Sequence, residues 1–175
     1  MKKGNEVRLY NIFLPIWLLL FWPSPLWLVV IPVNYLINRV VLRWSLGDMP
    51  EKGLFCRKHT WKICLAGFAG DFAGAALLFA IYMTGADTSG PGLFEDLAYG
   101  VGFNPFSHPL AFVCVAFAVA AAGVLIYFID RAILKGAGLT PEQAKRSALR
   151  LALITAPYLY FFPSTVLYGG SLSVV

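Results

Sequence analysis

The fold is decided by the first long apolar stretch, where residues 11–44 read NIFLPIWLLLFWPSPLWLVVIPVNYLINRVVLRW. One straight helix of these 34 residues would be about 51 Å long, whereas the hydrocarbon core of a bilayer is about 30 Å thick. Proline removes a backbone donor and restricts the residue before it, so Pro23-Ser24-Pro25 should break the helix. The stretch predicts a helical hairpin, with arms at about 8–22 and 24–43 and its tip at the proline cluster.

Two depths of the hairpin are compatible with the sequence. Trp22 and Trp27 flank the tip, and tryptophan prefers the membrane interface, which favours a hairpin that spans to the far side. The first arm is short for a full span, which favours a re-entrant hairpin that stops inside the bilayer. We prefer the spanning form.

The composition of the whole chain calls for an apolar environment. Of its 175 residues, 59% are hydrophobic and 13% are charged, and the mean hydropathy is +0.71. A soluble domain carries about 25% charged residues, so this chain has too few polar groups to cover a soluble fold. The lipid bilayer is therefore the first partner that we expect. The net charge of +5 is interpreted as topological, and nucleic acid is not an expected partner.

Three further apolar segments follow the hairpin. They predict transmembrane helices at about 61–83, 109–134 and 141–168, with a glycine-rich external loop at 84–108. Residues 140–143, Thr-Pro-Glu-Gln, match the capping-box pattern at the start of the last helix. The whole chain, 1–175, is thus predicted to be one all-α integral membrane domain with about five membrane segments.

The basic residues determine the predicted orientation. They fall in three groups, at 2–8, 39–62 and 131–150, whereas the loop at 84–108 carries acids and no Lys or Arg. Cytoplasmic loops of membrane proteins are enriched in Lys and Arg. All three groups are therefore predicted to be cytoplasmic, which requires the first stretch to turn back on itself. The N-terminus is predicted inside and the C-terminus outside a cell membrane, the bacterial inner membrane or a plasma membrane.

Asp71 is the main candidate for chemistry. It lies about ten residues into the helix predicted at 61–83, near the bilayer midplane, where a charged carboxylate is costly unless it is paired, hydrated or protonated. Such residues mark ion or proton pathways. Gly67, Gly70 and Gly74 surround it and permit close helix packing. The alternative is a neutral Asp71 that holds a neighbouring helix by hydrogen bonds.

Two other polar side chains fall at a similar depth. Asn34 lies nine residues before Arg43, about 13 Å into the membrane, and Tyr158 follows Pro157 near the middle of the last segment. We therefore predict that Asp71, Asn34 and Tyr158 form one polar layer on an ion or proton pathway. A re-entrant hairpin would move Asn34 toward the interface and remove it from this layer.

Asp130 is interpreted as a structural residue. It lies where the fourth segment leaves the membrane, and we expect it to pair with a cytoplasmic arginine such as Arg39 or Arg150. The cysteines and histidines lack the spacing of zinc ligands. No phosphate loop, nucleophile elbow, HExxH motif or dinucleotide fingerprint occurs. Neither a metal nor a cofactor is expected.

Three classes of function remain open. The first, which we favour, is a small channel or transporter that forms a homo-oligomer, with an ion or proton pathway through Asp71. The second is a non-catalytic membrane subunit, or assembly partner of a larger complex, whose small-residue helices dock on another membrane protein. The third is an intramembrane lipid-modifying enzyme. Only His108, Glu95, Asp96 and Asp71 could serve that enzyme, and their spacing matches no known motif.

Overall fold

The computed structural model describes residues 15–21, 25, 27–86 and 92–167, and every regular element within them is a helix. In chain order these are the first 3₁₀ helix (Ile16–Leu20), α1 (Trp27–Ser45), α2 (Lys52–Ala86), α3 (Leu93–Phe103), α4 (Pro109–Gly136), α5 (Pro141–Thr155), the second 3₁₀ helix (Tyr158–Phe161) and α6 (Ser164–Leu167). The all-helical class predicted from the sequence is confirmed.

Two helices are long and apolar enough to cross a membrane, namely α2 over Lys52–Gly85 and α4 over Pro109–Gly136. The whole of α2 has 35 residues and α4 has 28, which correspond to about 52 Å and 42 Å, against a hydrocarbon thickness of about 30 Å. The helix α2 begins nine residues before the start predicted at Trp61. It does so because its first turns already bury Cys56 in an apolar cluster with Leu42 of α1.

The described residues of the first apolar stretch run along α2 in one direction. Ring contacts step down α2 from its C-terminal half toward its N-terminal half as the chain advances: Trp17 on Tyr82, Phe21 on Phe72, and Trp27 stacked on Phe68 at 5.8 Å. Further along, α1 passes Gly67. The described parts of the arms predicted at 8–22 and 24–43 therefore form one interrupted passage antiparallel to α2, and the predicted hairpin is not observed in them.

The tryptophans explain why the hairpin prediction does not hold. Trp27 is not an interface anchor, because its indole packs on the aromatic face of α2 and its N–H donates to the Leu19 carbonyl at 3.3 Å. Trp17 is buried, and its N–H donates to the Val101 carbonyl at 3.0 Å. The indole N–H groups are thus satisfied inside the protein. Proline interrupts helical hydrogen bonding, but an interruption does not require a reversal.

The beginning and the end of the described chain meet. The Ile16 amide donates to the Ser164 hydroxyl at 2.9 Å, and that hydroxyl in turn donates to the Gly102 carbonyl at 3.3 Å. The described residues run along the bundle in four passages, namely 16–21 with 27–45, α2, α4, and the last passage from α5 to α6. The prediction that the hairpin tip lies at the far side falls partly on residues 22–24, and the N-terminal basic group falls on residues 2–8. Both lie outside the described residues.

The last passage is broken where the sequence predicted one helix at 141–168. Its start is as predicted, since the Thr140 hydroxyl accepts from the Gln143 amide and the Gln143 side chain accepts from the Thr140 amide. However, α5 ends at Thr155, because Ala156 precedes Pro157 and takes an extended conformation (φ −57°, ψ 152°). A short 3₁₀ helix then continues the passage.

Two apolar clusters fill the bundle at different levels. The cluster at the basic end joins the end of α1, the start of α2, the end of α4 and the start of α5, and includes Leu42, Ile63, Leu134 and Leu151. The opposite cluster includes Trp17, Leu78, Val101 and Val115. The described Lys and Arg residues all belong to the helix ends and turns around the first cluster. Glu95 and Asp96 lie at the opposite end, in the first turn of α3.

Candidate functional site: a polar layer between two apolar clusters

Four polar side chains lie between the buried members of the two apolar clusters; Asn38 and Asp130 are buried, and Asn34 and Asp71 are half-buried. The buried cluster members are separated by residues 64–74 on α2 and by residues 120–133 on α4. This interval contains Asp71 on α2 and Asp130 on α4, with Asn34 and Asn38 of α1 facing it. We call these four side chains the polar layer.

The two asparagines of α1 pack directly on a glycine of α2. A Cβ atom at Gly67 would lie 3.8 Å from Nδ2 of Asn34 and 4.0 Å from Nδ2 of Asn38. The Asn38 amide donates to Asn34, to its Oδ1 at 2.7 Å and to its backbone carbonyl at 3.0 Å. Asn38 is 1% exposed, and its Oδ1 has no hydrogen-bond partner among the described residues. The pair therefore presents an amide oxygen to the interior.

The acid of α4 lies at the same level. Gly70 of α2 packs against Ile126 of α4, and a Cβ at Gly70 would overlap the Ile126 side chain. The helices α2 and α4 are antiparallel, so Asp130, one turn beyond Ile126, is level with Gly67, about one turn before Gly70. Asp130 is fully buried, and neither carboxyl oxygen has a hydrogen-bond partner among the described residues.

The expected pairing of Asp130 with an arginine is wrong. The guanidinium of Arg150 lies over the Trp44 ring, 4.3 Å from its centroid. Arg39 donates to the Tyr35 hydroxyl at 3.4 Å on its own helix. Both arginines are held by aromatic neighbours from α1, so the Asp130 carboxyl faces the interior without a cationic partner among the described residues.

Asp71 is held by the last passage of the chain. Its Oδ1 is buried without a hydrogen-bond partner among the described residues, and its backbone carbonyl accepts from the Tyr160 hydroxyl. Tyr160 is 4% exposed, and its ring packs where a Cβ at Gly74 would lie 3.1 Å from it. Asp71 lies one helical turn after Gly67, so it continues the polar layer toward the opposite end.

Tyr158 does not join this layer. It is 52% exposed, and its hydroxyl donates to the Leu153 carbonyl at 2.6 Å. Asp71 and Asn34 thus lie on adjacent turns around Gly67, and Asn38 and Asp130 lie at the same level. Tyr160, and not the predicted Tyr158, contacts Asp71. The spacing of Asn34 and Asn38 was a usable signal in the sequence. Nothing in the sequence distinguished the two tyrosines, because the register after Pro157 depends on how the helix breaks.

Gly67, Gly70 and Gly74, which the sequence predicted to permit close helix packing, lie against neighbouring elements. Gly67 faces α1, Gly70 faces α4, and Gly74 faces both Tyr160 and Ala122. Each therefore lets a different neighbour approach the backbone of α2. The three contacts together surround Asp71.

Comparison with known proteins adds no function. No protein-family model matches the chain, and searches of curated proteins and of solved structures give no match.

The chemistry of the layer is that of an acceptor site. Carboxyl oxygens of two acids and one amide oxygen face the interior without donors among the described residues. An unsatisfied buried acceptor costs about 1–3 kcal/mol, and more when it is charged. Such oxygens are satisfied by a proton, a cation or water. The described residues contain no group of three or more His, Cys, Asp or Glu side chains that could hold a metal ion.

The hydroxyl of Tyr160 provides a local test of this geometry. Tyr160→Phe removes the only hydrogen bond that ties the second 3₁₀ helix to Asp71 among the described residues, and we expect it to lower the free energy of unfolding by about 1 kcal/mol. Tyr158→Phe is the matched control, because it also removes one hydrogen bond, to the Leu153 carbonyl, but at an exposed position, and a change within about 0.5 kcal/mol is expected. Thermal unfolding in detergent measures both. Equal effects of the two variants would remove Tyr160 from the site.

Proposed function

We propose that this protein is a multi-pass cell-membrane channel or transporter that carries protons or monovalent cations through the polar layer. The observation that carries the proposal is Asp130, a fully buried acid whose two carboxyl oxygens have no donor among the described residues. A buried polar group that lowers the stability of the fold and forms no hydrogen bond is typical of a functional site. Intramembrane acids are typical of ion and proton pathways.

The membrane location is supported by the surface as well as by helix length. Large apolar side chains cover the outer faces of α1 and α4, among them Leu28 at 80% exposed, Val40 at 67% and Phe117 at 65%. Contiguous apolar surface of this kind suits lipid. By the positive-inside rule, the basic end faces the cytoplasm. We also propose a homo-oligomer, since the same apolar faces can pack against a second copy.

Interrupted passages support transport over a purely structural role. Trp27, at the start of α1, reaches Phe72, one residue from Asp71 on α2. The break at Pro157 lies at a similar level, because Ala156 packs on Gly123, next to the Ala122 that meets Gly70 and Gly74. Ion sites in transporters commonly lie where membrane helices are interrupted. Two of the four passages are thus interrupted near Asp71.

Flux through purified protein in liposomes tests the proposal. Wild type should move protons or a monovalent cation down an imposed gradient, and Asp71→Asn should reduce that flux at least tenfold because the amide cannot release a proton or neutralise a cation. Asp96→Asn is the matched control, since Asp96 is exposed at the opposite end of the bundle, and it should transport like wild type.

The outcomes separate the alternatives. Equal flux for wild type and Asp71→Asn would exclude Asp71 from the pathway. Absence of flux for wild type, with protons, monovalent cations and anions all tried, would contradict transport and favour the membrane-subunit class.

A further inference from the structure

A second site lies at the basic end, outside the polar layer. A cavity of about 120 Å³ opens between the end of α1 and the start of α5, lined by Ser45, Leu46, Gly47, Gln143, Arg146 and Ser147. A water molecule occupies about 30 Å³, so the cavity has room for a group of the size of phosphate. Its lining contains no acidic side chain.

The cavity is lined by hydrogen-bond donors. Arg146 contributes a guanidinium with five N–H groups, and Ser147 contributes a hydroxyl. The carboxamide oxygen of Gln143 is already used by the amide of Thr140, which leaves the amino group of Gln143 as its free end. Ser45 is 7% exposed, and its hydroxyl has no hydrogen-bond partner among the described residues. Ser45 is the last residue of α1, so its unpartnered hydroxyl indicates a ligand independently of the start of α5.

The charge around the cavity is positive. Lys52 donates to the Gly47 carbonyl at 2.8 Å and so places an ammonium group at the rim. The cavity is also bounded by the first two turns of α5, the positive end of that helix dipole. Asp48 and Glu142 are neighbours of lining residues in the sequence, but neither lines the cavity. The local field therefore favours an anion.

We propose that this cavity binds a phosphate group. Arginine matches phosphate through paired N–H donors, and serine hydroxyls complete the shell. The site lies beside Trp44, which is 60% exposed and stacks with Arg150, an arrangement typical of the membrane interface. Either an anionic lipid headgroup or free phosphate offers the chemistry. The proposal does not depend on transport.

Binding to the full-length protein in detergent tests this site. The probes are inorganic phosphate, measured by calorimetry, and phosphatidic acid, measured against phosphatidylcholine by native mass spectrometry. Arg146→Gln should weaken binding at least tenfold, because a charge-assisted hydrogen bond to a phosphate is lost. Lys145→Gln is the matched control, since it removes the same charge one residue away from the lining and should change binding less than threefold.

Each outcome has a defined meaning. Binding of phosphatidic acid without inorganic phosphate identifies a headgroup site, and binding of both identifies a phosphate site open to solvent. Equal weakening by Arg146→Gln and Lys145→Gln would overturn the proposal, because it would show attraction to the basic end as a whole. No binding of either probe to folded wild type would also overturn it. The double variant Ser45→Ala with Ser147→Ala keeps the charge and should still weaken binding severalfold.

Discussion

Asp130→Leu is expected to raise the unfolding temperature of the protein and to abolish its flux in liposomes. Leucine has nearly the branched shape of aspartate but carries no oxygens that need donors. Asp130 is fully buried and its carboxyl oxygens lack partners among the described residues. Removing an unsatisfied buried polar group should therefore stabilise the fold by about 1–3 kcal/mol. Flux should fall to the level of empty liposomes, because the proposed pathway loses its acid.

The combination of a more stable and an inactive protein is the diagnostic result. Thermal unfolding in detergent and flux in liposomes are measured on the same preparation. Asp48→Leu, an exposed acid in the turn before α2, should change stability by less than about 0.5 kcal/mol and leave flux intact. A lower unfolding temperature for Asp130→Leu would mean that Asp130 supports the fold. Wild-type flux in a folded Asp130→Leu would remove it from the pathway. The asparagine of Asp130→Asn is smaller than leucine, so this variant removes the acid without overpacking the site.

Gly70→Val should strongly destabilise the packing of α2 on α4. A Cβ at Gly70 would overlap Ile126 and would lie 3.1 Å from the Ala122 carbonyl. Valine adds two further methyl groups, so α2 and α4 must separate. Overpacking of this kind costs about 1–3 kcal/mol, and here the upper end is expected because the obstruction includes backbone. Separation of α2 from α4 should also displace Asp71 and Asp130.

Gly53→Val is the matched control on the same helix, because nothing lies within 4 Å of a Cβ placed there. It should be neutral or slightly stabilising, since valine forms helices better than glycine. Ile126→Ala should partly rescue Gly70→Val, giving a favourable coupling energy in a double-mutant cycle. Additive effects of Gly70→Val and Ile126→Ala would show that these helices do not meet at this point.

Much of the helical framework follows from local chemistry and was therefore predictable. The capping box at Thr140 and the proline at the start of α4 act through their own and adjacent turns, so their helices begin where predicted. Asp71 was identified because an acid within an apolar run is conspicuous in any sequence. The glycines around it face neighbouring helices, as their spacing indicated.

The remaining features depend on contacts between distant residues. The direction of the first stretch is set by Trp17, Phe21 and Trp27 packing on α2, which local proline chemistry does not determine. The position of Asp130 along its helix predicted an ion pair with Arg39 or Arg150. Instead, Arg150 lies over Trp44, and Arg39 donates to Tyr35. Tyr158 and Tyr160 differ by two positions, about 200° around a helix, and the break at Pro157 decides which one faces inward.

The meeting of Ile16 with Ser164 has a mechanical consequence. The first and second 3₁₀ helices pack together at the opposite end from the basic residues, and the second is joined to α5 through Ala156 and Pro157, which are not helical. Meanwhile α2 and α4 are continuous through the same level. Bending at Ala156 and Pro157 would therefore move the two short helices together relative to α2 and α4, at the end of the bundle opposite to the basic residues.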